Sequence, residues 1–126
     1  MNMNHQTRKK LTKKDREYVY QKMNGHCAYC GCEIELKDMQ ADHVHPLRRG
    51  GDDCLENLLP ACRSCNRYKS VYTPEEFREQ LSLLHSRMKR DSSNYSLMLR
   101  FGIISADESP IKFYFERLTR EGGASE

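Results

Sequence analysis

Two C-x-x-C pairs, Cys27/Cys30 and Cys62/Cys65, constrain this chain more than any other feature. Two cysteines with two residues between them can place both thiolates on one tetrahedral Zn²⁺, and two such pairs fill all four positions of a closed structural site. The full spacing is C-x2-C-x31-C-x2-C, longer between pairs than in an ordinary zinc ribbon, so the staple encloses more than a turn. A closed site is not itself a catalyst. Any chemistry therefore lies in what the staple holds.

A staple is what this composition calls for. In 126 residues, 37% are hydrophobic, 31% are charged and Trp is absent, which allows one domain with a small core. A structural metal is one of the usual remedies for so marginal a core. Six cysteines in an oxidising compartment would read as disulfides instead. The start, Met1-Asn2-Met3-Asn4-His5, has no apolar leader, and no stretch has the length and apolarity of a membrane span. The expectation is a cytoplasmic protein with no membrane partner, zinc on four reduced thiols, and Cys32 and Cys54 free.

Charge is unevenly placed. Residues 1–70 hold 13 Lys/Arg against 9 Asp/Glu, whereas residues 71–126 hold 8 against 9. Arg8, Lys9, Lys10, Lys13 and Lys14 fall in the first fourteen residues, which contain no acid. This distribution suits a polyanion on the N-terminal half, and a solvated basic tail explains that feature alone equally well.

The pattern predicts a basic, disordered tail over 1–11, then a helix capped by Thr12 and running to about Asn24 before Gly25. Short strands are expected around Met39–His43 and Asn57–Ala61, with a helix from about Ser64. Thr73-Pro74-Glu75-Glu76 reads as a helix start, and Phe77, Leu81, Leu84 and Met88 carry helical spacing on through Arg90. Tyr95–Arg100 reads as helix ended by Gly102. The alternation Ile111-Lys112-Phe113-Tyr114-Phe115-Glu116 reads as a strand that must join the sheet or pair across a dimer. The expected division is a main domain over 12–90 and a C-terminal helix–strand extension over 91–126.

Between and after the cysteines stand Asp42-His43, Gly50-Gly51, Asn57-Leu58 and Cys65-Asn66-x-x-Lys69. In this order and spacing, residues 25–70 resemble the cysteine-stapled members of the HNH endonuclease family. The resemblance implies an α+β fold: a small ββα-metal core stapled by a four-cysteine zinc site, flanked by helices. It implies hydrolysis of DNA phosphodiester bonds to 5′-phosphate and 3′-hydroxyl ends, with RNA not excluded as a partner. His43 would be the general base, Asp42 and Asn66 the ligands of a catalytic Mg²⁺ or Mn²⁺, and Asn57 the residue that holds His43 in place. Asn66 stands where many family members have His, a variant that active members also carry.

The residues themselves agree with those roles. Hard oxygen ligands suit Mg²⁺, and histidine titrates near neutrality, where a general base works best. Neighbouring side chains on a regular strand face opposite ways, so Asp42 and His43 converge only if the strand ends there. Arg48 and Arg49 beside the flexible glycines, together with Arg67 and Lys69 on the helix, are the expected contacts to the DNA backbone. A zinc-stapled nucleic-acid-binding module without catalysis uses the same cysteines and basic residues, but it leaves Asp42 and Asn66 without a task.

Overall fold

Thr12 and Asp15 open the first helix by capping each other. The Thr12 hydroxyl accepts from the Asp15 amide at 3.0 Å, and the Asp15 carboxylate accepts from the Thr12 amide at 3.1 Å. Helix α1 spans Lys13–Gln21. It stops short of Asn24 because Asn24 and Gly25 take left-handed backbone, with φ of 52° and 83°. The computed structural model describes residues 10–118. The expected disordered tail over 1–11 lies almost wholly outside them.

Two short strands follow, β1 at Gln40–His43 and β2 at Leu58–Ala61, paired antiparallel with Asp42 opposite Leu59 and His43 opposite Leu58. Helix α2, Arg63–Lys69, leaves β2 directly. Val19 from α1 is buried with Met39 and Leu58, and Leu11, Tyr20, Ile34, Ala41 and Leu55 pack around them. The ammonium of Lys22 donates to the Leu55 and Leu58 carbonyls at 2.6 and 2.7 Å, tying the end of α1 to the start of β2. This is the expected α+β arrangement of two strands and a helix.

Pro60 sits within β2, opposite Ala41. It has no N–H to give, and its carbonyl accepts from the Ala28 amide of the first cysteine loop at 2.8 Å, on the side away from β1.

The fold's contacts group the described residues up to Pro74 with those from Lys112 onward, and residues Glu75–Ile111 form a second unit. This differs from the division expected at residues 90 and 91. Within the second unit the long helix expected through Arg90 is interrupted. Helix α3 is Pro74–Ser82 and helix α4 is Leu84–Asp91. The Leu83 amide bonds back three residues to Gln80 rather than four, which tightens one turn between them. Helix α5, Ser93–Arg100, is capped by Ser92 and packs on α4, where His85 Nδ1 meets the Tyr95 hydroxyl at 2.9 Å. Gly102, at φ 71°, follows its end.

The strand expected at 111–116 is absent: residues 114–118 are helical. The Phe113 amide donates to the Glu116 carboxylate at 2.8 Å, a local bond that starts a helical turn where alternation alone reads as extended chain. The segment finds its partner in the first cysteine loop. The Tyr114 amide donates to the Tyr29 carbonyl at 3.0 Å and the Phe115 amide to the Ala28 carbonyl at 2.8 Å. Among the described residues no helix is long and apolar enough to cross a membrane.

Candidate active site

Strand β1 ends at His43. The Val44 amide still bonds the Asn57 carbonyl at 2.8 Å, and the chain then turns through Pro46 into the short turn Leu47–Arg49. Asp42 and His43 are both buried, and both line an open cleft of about 490 Å³. Asn66 and Arg67 of α2 and the exposed Arg48 line the same cleft. Arg49 is exposed too, and its guanidinium reaches the Val71 carbonyl at 3.5 Å.

The Asp42 carboxylate is held from three sides. Oδ2 accepts from the Tyr29 hydroxyl at 2.6 Å and pairs with the Lys69 ammonium at 3.2 Å. Oδ1 accepts from the Asn66 amide nitrogen at 3.2 Å, with Lys69 farther off at 3.5 Å. Burial, reinforced by the Asp42 carboxylate, pushes the Tyr29 phenol well above its ordinary range, so it stays a donor. Tyr29 was not singled out in the sequence. It lies 13 residues from Asp42, and only the fold brings them together.

Lys69 corrects one expectation. It does share a helix face with Asn66, but that face turns inward: Lys69 is 0% exposed. Its ammonium also donates to the His43 carbonyl at 3.0 Å. An ammonium so enclosed cannot grip a phosphate backbone. It balances Asp42 and pins the end of β1.

His43 Nε2 lies 2.9 Å from Asp53 Oδ1, a residue the sequence also did not mark as functional. An ionised carboxylate only accepts, so Nε2 carries the hydrogen, and in the neutral ring Nδ1 keeps its lone pair. The visible signal for Asp53 was an acid at the end of Gly50-Gly51-Asp52-Asp53, a loop that has to close. Asn57 closes it. Its side-chain oxygen accepts from the His45 amide at 3.0 Å, and its nitrogen donates to the His45 and Asp52 carbonyls at 3.0 and 2.8 Å. Gly51 is required for the same closure, because a Cβ there would stand 1.8 Å from the His45 carbonyl oxygen.

The four paired cysteines meet beside this centre. Their sulfurs all lie within 4.8 Å of one another, and Cys30 and Cys62 are 3.9 Å apart. Tetrahedral zinc with bonds of about 2.3 Å separates its sulfurs by roughly 3.8 Å, so the cluster fits that ion with little movement. Backbone amides already point at two of the sulfurs, Tyr29 N at Cys27 and Cys65 N at Cys62, each at 3.4 Å. A hydrogen bond from the Cys65 thiol lowers Cys27 to about 4. The same bond pushes Cys65 up. Cys32 and Cys54 are exposed and outside the cluster.

For a second ion, the oxygen donors are the Asp42 carboxylate and, once its side chain turns, the Asn66 carboxamide, whose nitrogen here donates to Asp42 Oδ1 at the cleft. Such hard donors suit Mg²⁺ or Mn²⁺.

A buried acid, a buried histidine and a half-buried carboxamide thus line one cleft on a ββα frame beside the four cysteines. Residues 27–71 match the family model described as HNH endonuclease, so this segment is an HNH domain. Among characterised proteins, the chain is similar to the CRISPR-associated endonuclease Cas9 of Corynebacterium diphtheriae, at 38% identity over 50 residues, or 39% of this chain and 5% of that one. It is also similar to the SPbeta prophage-derived putative HNH endonuclease YoqL of Bacillus subtilis, at 34% identity over 65 residues, or 43% of this chain and 27% of the relative. The structure resembles that of the Type II-C Cas9 of Actinomyces naeslundii, with a TM-score of 0.50 and 25% identity, covering 60% of this chain and 9% of the larger one. The chain thus spans only a small part of each of these proteins.

Proposed function

We propose that this chain hydrolyses phosphodiester bonds of DNA, with His43 as general base and Asp42 and Asn66 as the residues that hold a divalent ion. The observation that carries the reading is that Asp42, His43 and Asn66 line one cleft, with the His43 imidazole held by Asp53 behind it and Asp42 bonded to Asn66. A histidine whose Nε2 hydrogen is held by a carboxylate presents Nδ1 as the basic nitrogen, and His43 Nδ1 has no hydrogen-bond partner among the described residues.

In this reading, Nδ1 takes a proton from a water molecule as its oxygen attacks phosphorus. The bond from phosphorus to the 3′ oxygen breaks, giving 5′-phosphate and 3′-hydroxyl ends. Asp53 keeps the imidazole oriented and stabilises the imidazolium that forms. Asn57 fixes the loop carrying Asp53, and Lys69 holds the His43 carbonyl, so the base is anchored at both ring and backbone. Arg48 and Arg67 at the cleft edge bind the DNA backbone on either side of the reacting phosphate. Mg²⁺ or Mn²⁺, when bound, supplies positive charge to the phosphate and to the leaving oxygen.

Supercoiled-plasmid cleavage with Mg²⁺, Mn²⁺ or EDTA, run on wild type and His43→Ala, tests this. Divalent-dependent nicking that disappears in the variant while DNA binding persists is the expected result. Full activity in His43→Ala would sink the base assignment. Salt-dependent DNA binding by folded wild type without any cleavage would favour a zinc-stapled binding module instead.

A further inference from the structure

The geometry points to Tyr29 as a positioning residue for Asp42, set in place by the aromatic segment Phe113–Phe115; this rests on the metal-dependent nuclease reading. The segment lies beyond residues 27–71, so it is a part of the site that the HNH motif does not contain.

A carboxylate can turn about its last bond, and which oxygen it offers to a cation depends on what holds the other. Here the two oxygens have different surroundings. Oδ2 takes the short bond from Tyr29 and the nearer contact from Lys69, both from buried side chains. Oδ1 is the oxygen on the Asn66 side. The Tyr29 hydroxyl thus keeps Oδ2 turned inward. Oδ1 faces cleft-lining Asn66 and accepts from its amide nitrogen at 3.2 Å, a bond that a cation replaces once the carboxamide turns its oxygen inward.

Tyr29 performs this only if its own ring cannot move. Phe113 meets it edge-on at 5.1 Å and 90°, and Phe115 does so at 5.9 Å and 88°. Phe113 is 1% exposed and Tyr29 is 3% exposed. The Tyr114 amide holds the Tyr29 carbonyl at 3.0 Å, and the Tyr29 amide points to Cys27 Sγ at 3.4 Å. The hydroxyl is therefore referenced at once to the cysteine cluster and to the C-terminal segment. If Tyr29 served packing alone, its hydroxyl would be dispensable, since the ring makes the edge contacts.

The discriminating experiment is a calorimetric Mn²⁺ titration of the zinc-saturated full chain, wild type against Tyr29→Phe. That variant keeps the ring and removes only the donor. Loss of an outer hydrogen bond to a metal-ligating group typically weakens metal binding 10- to 100-fold, so a rise of about tenfold in the Mn²⁺ dissociation constant is expected. Excess Mn²⁺ should then restore the variant's plasmid cleavage. Unchanged Mn²⁺ affinity in folded Tyr29→Phe would overturn the inference and leave the nuclease reading standing. Phe113→Leu keeps the hydroxyl and loosens the ring, and should raise the same constant, by less than Tyr29→Phe does. If Tyr29→Phe does not fold, Phe113→Leu decides, and an unchanged constant there overturns the inference. Wild type that binds no Mn²⁺ would remove the metal-dependent reading itself, and this inference with it.

Discussion

Replacing Asp53 by Asn tests the centre at its most informative bond. The His43 Nε2 to Asp53 Oδ1 distance is 2.9 Å, and the two side chains are 8% and 17% exposed, so water does not readily take Asp53's place. The carboxylate admits one tautomer, with hydrogen on Nε2 and the lone pair on Nδ1. An amide brings a donor to the same place. When its NH₂ faces Nε2, the hydrogen moves to Nδ1 and the ring cannot accept a proton from water. A positioned base contributes about 10²- to 10⁴-fold, so cleavage by Asp53→Asn should fall by about 10²- to 10³-fold, or roughly 2.7–4 kcal/mol of barrier. The substitution leaves Asp42 and Asn66 themselves unchanged, so Mn²⁺ affinity and DNA binding should hold. Single-turnover plasmid nicking at saturating Mg²⁺ supplies the rate, and Mn²⁺ titration supplies the control. A rate within about threefold of wild type would refute the orientation reasoning.

Removing the Lys69 ammonium should act on stability rather than on DNA affinity. Lys69→Met leaves the Asp42 charge buried without its counter-ion, a change that costs about 3–5 kcal/mol; a wild-type urea midpoint would refute the inward pairing. Cys62→Ser should prevent folding, and chelation of one zinc per chain should unfold the wild type. A folded chain free of zinc by elemental analysis would overturn the staple.

The cysteine staple and the two-strand frame were legible because they depend on spacing and local pattern. A two-residue gap lets two thiolates reach one metal, and the Thr12 cap marks its own helix. Asp42, His43, Asn57 and Asn66 were legible as an ordered set; three of them line one cleft, and Asn57 lies apart, closing the loop between His45 and Asp52. Tyr29 and Asp53 were not, because their meaning lies in distances set by loop closure, which neighbouring residues do not encode. Lys69 shows the limit of helical spacing: three residues from Asn66 fixes a shared face, not whether that face looks outward. The alternation at 111–116 failed for a related reason. Phe113 and Phe115 are apolar because they face Tyr29, and one Glu116 carboxylate suffices to turn the backbone between them.

A two-stranded sheet consists entirely of edges, and an edge is a template on which other chains can align and aggregate. At Pro60 the outer margin of β2 offers no hydrogen-bond donor, and its acceptor is already taken by Ala28. The first cysteine loop therefore covers the outer margin of β2, the more apolar of the two described strands, against intermolecular strand addition. If the four cysteines hold zinc as proposed, stripping it and disordering that loop re-exposes the margin. Apo protein should consequently be the form that self-associates and precipitates in concentrated solution.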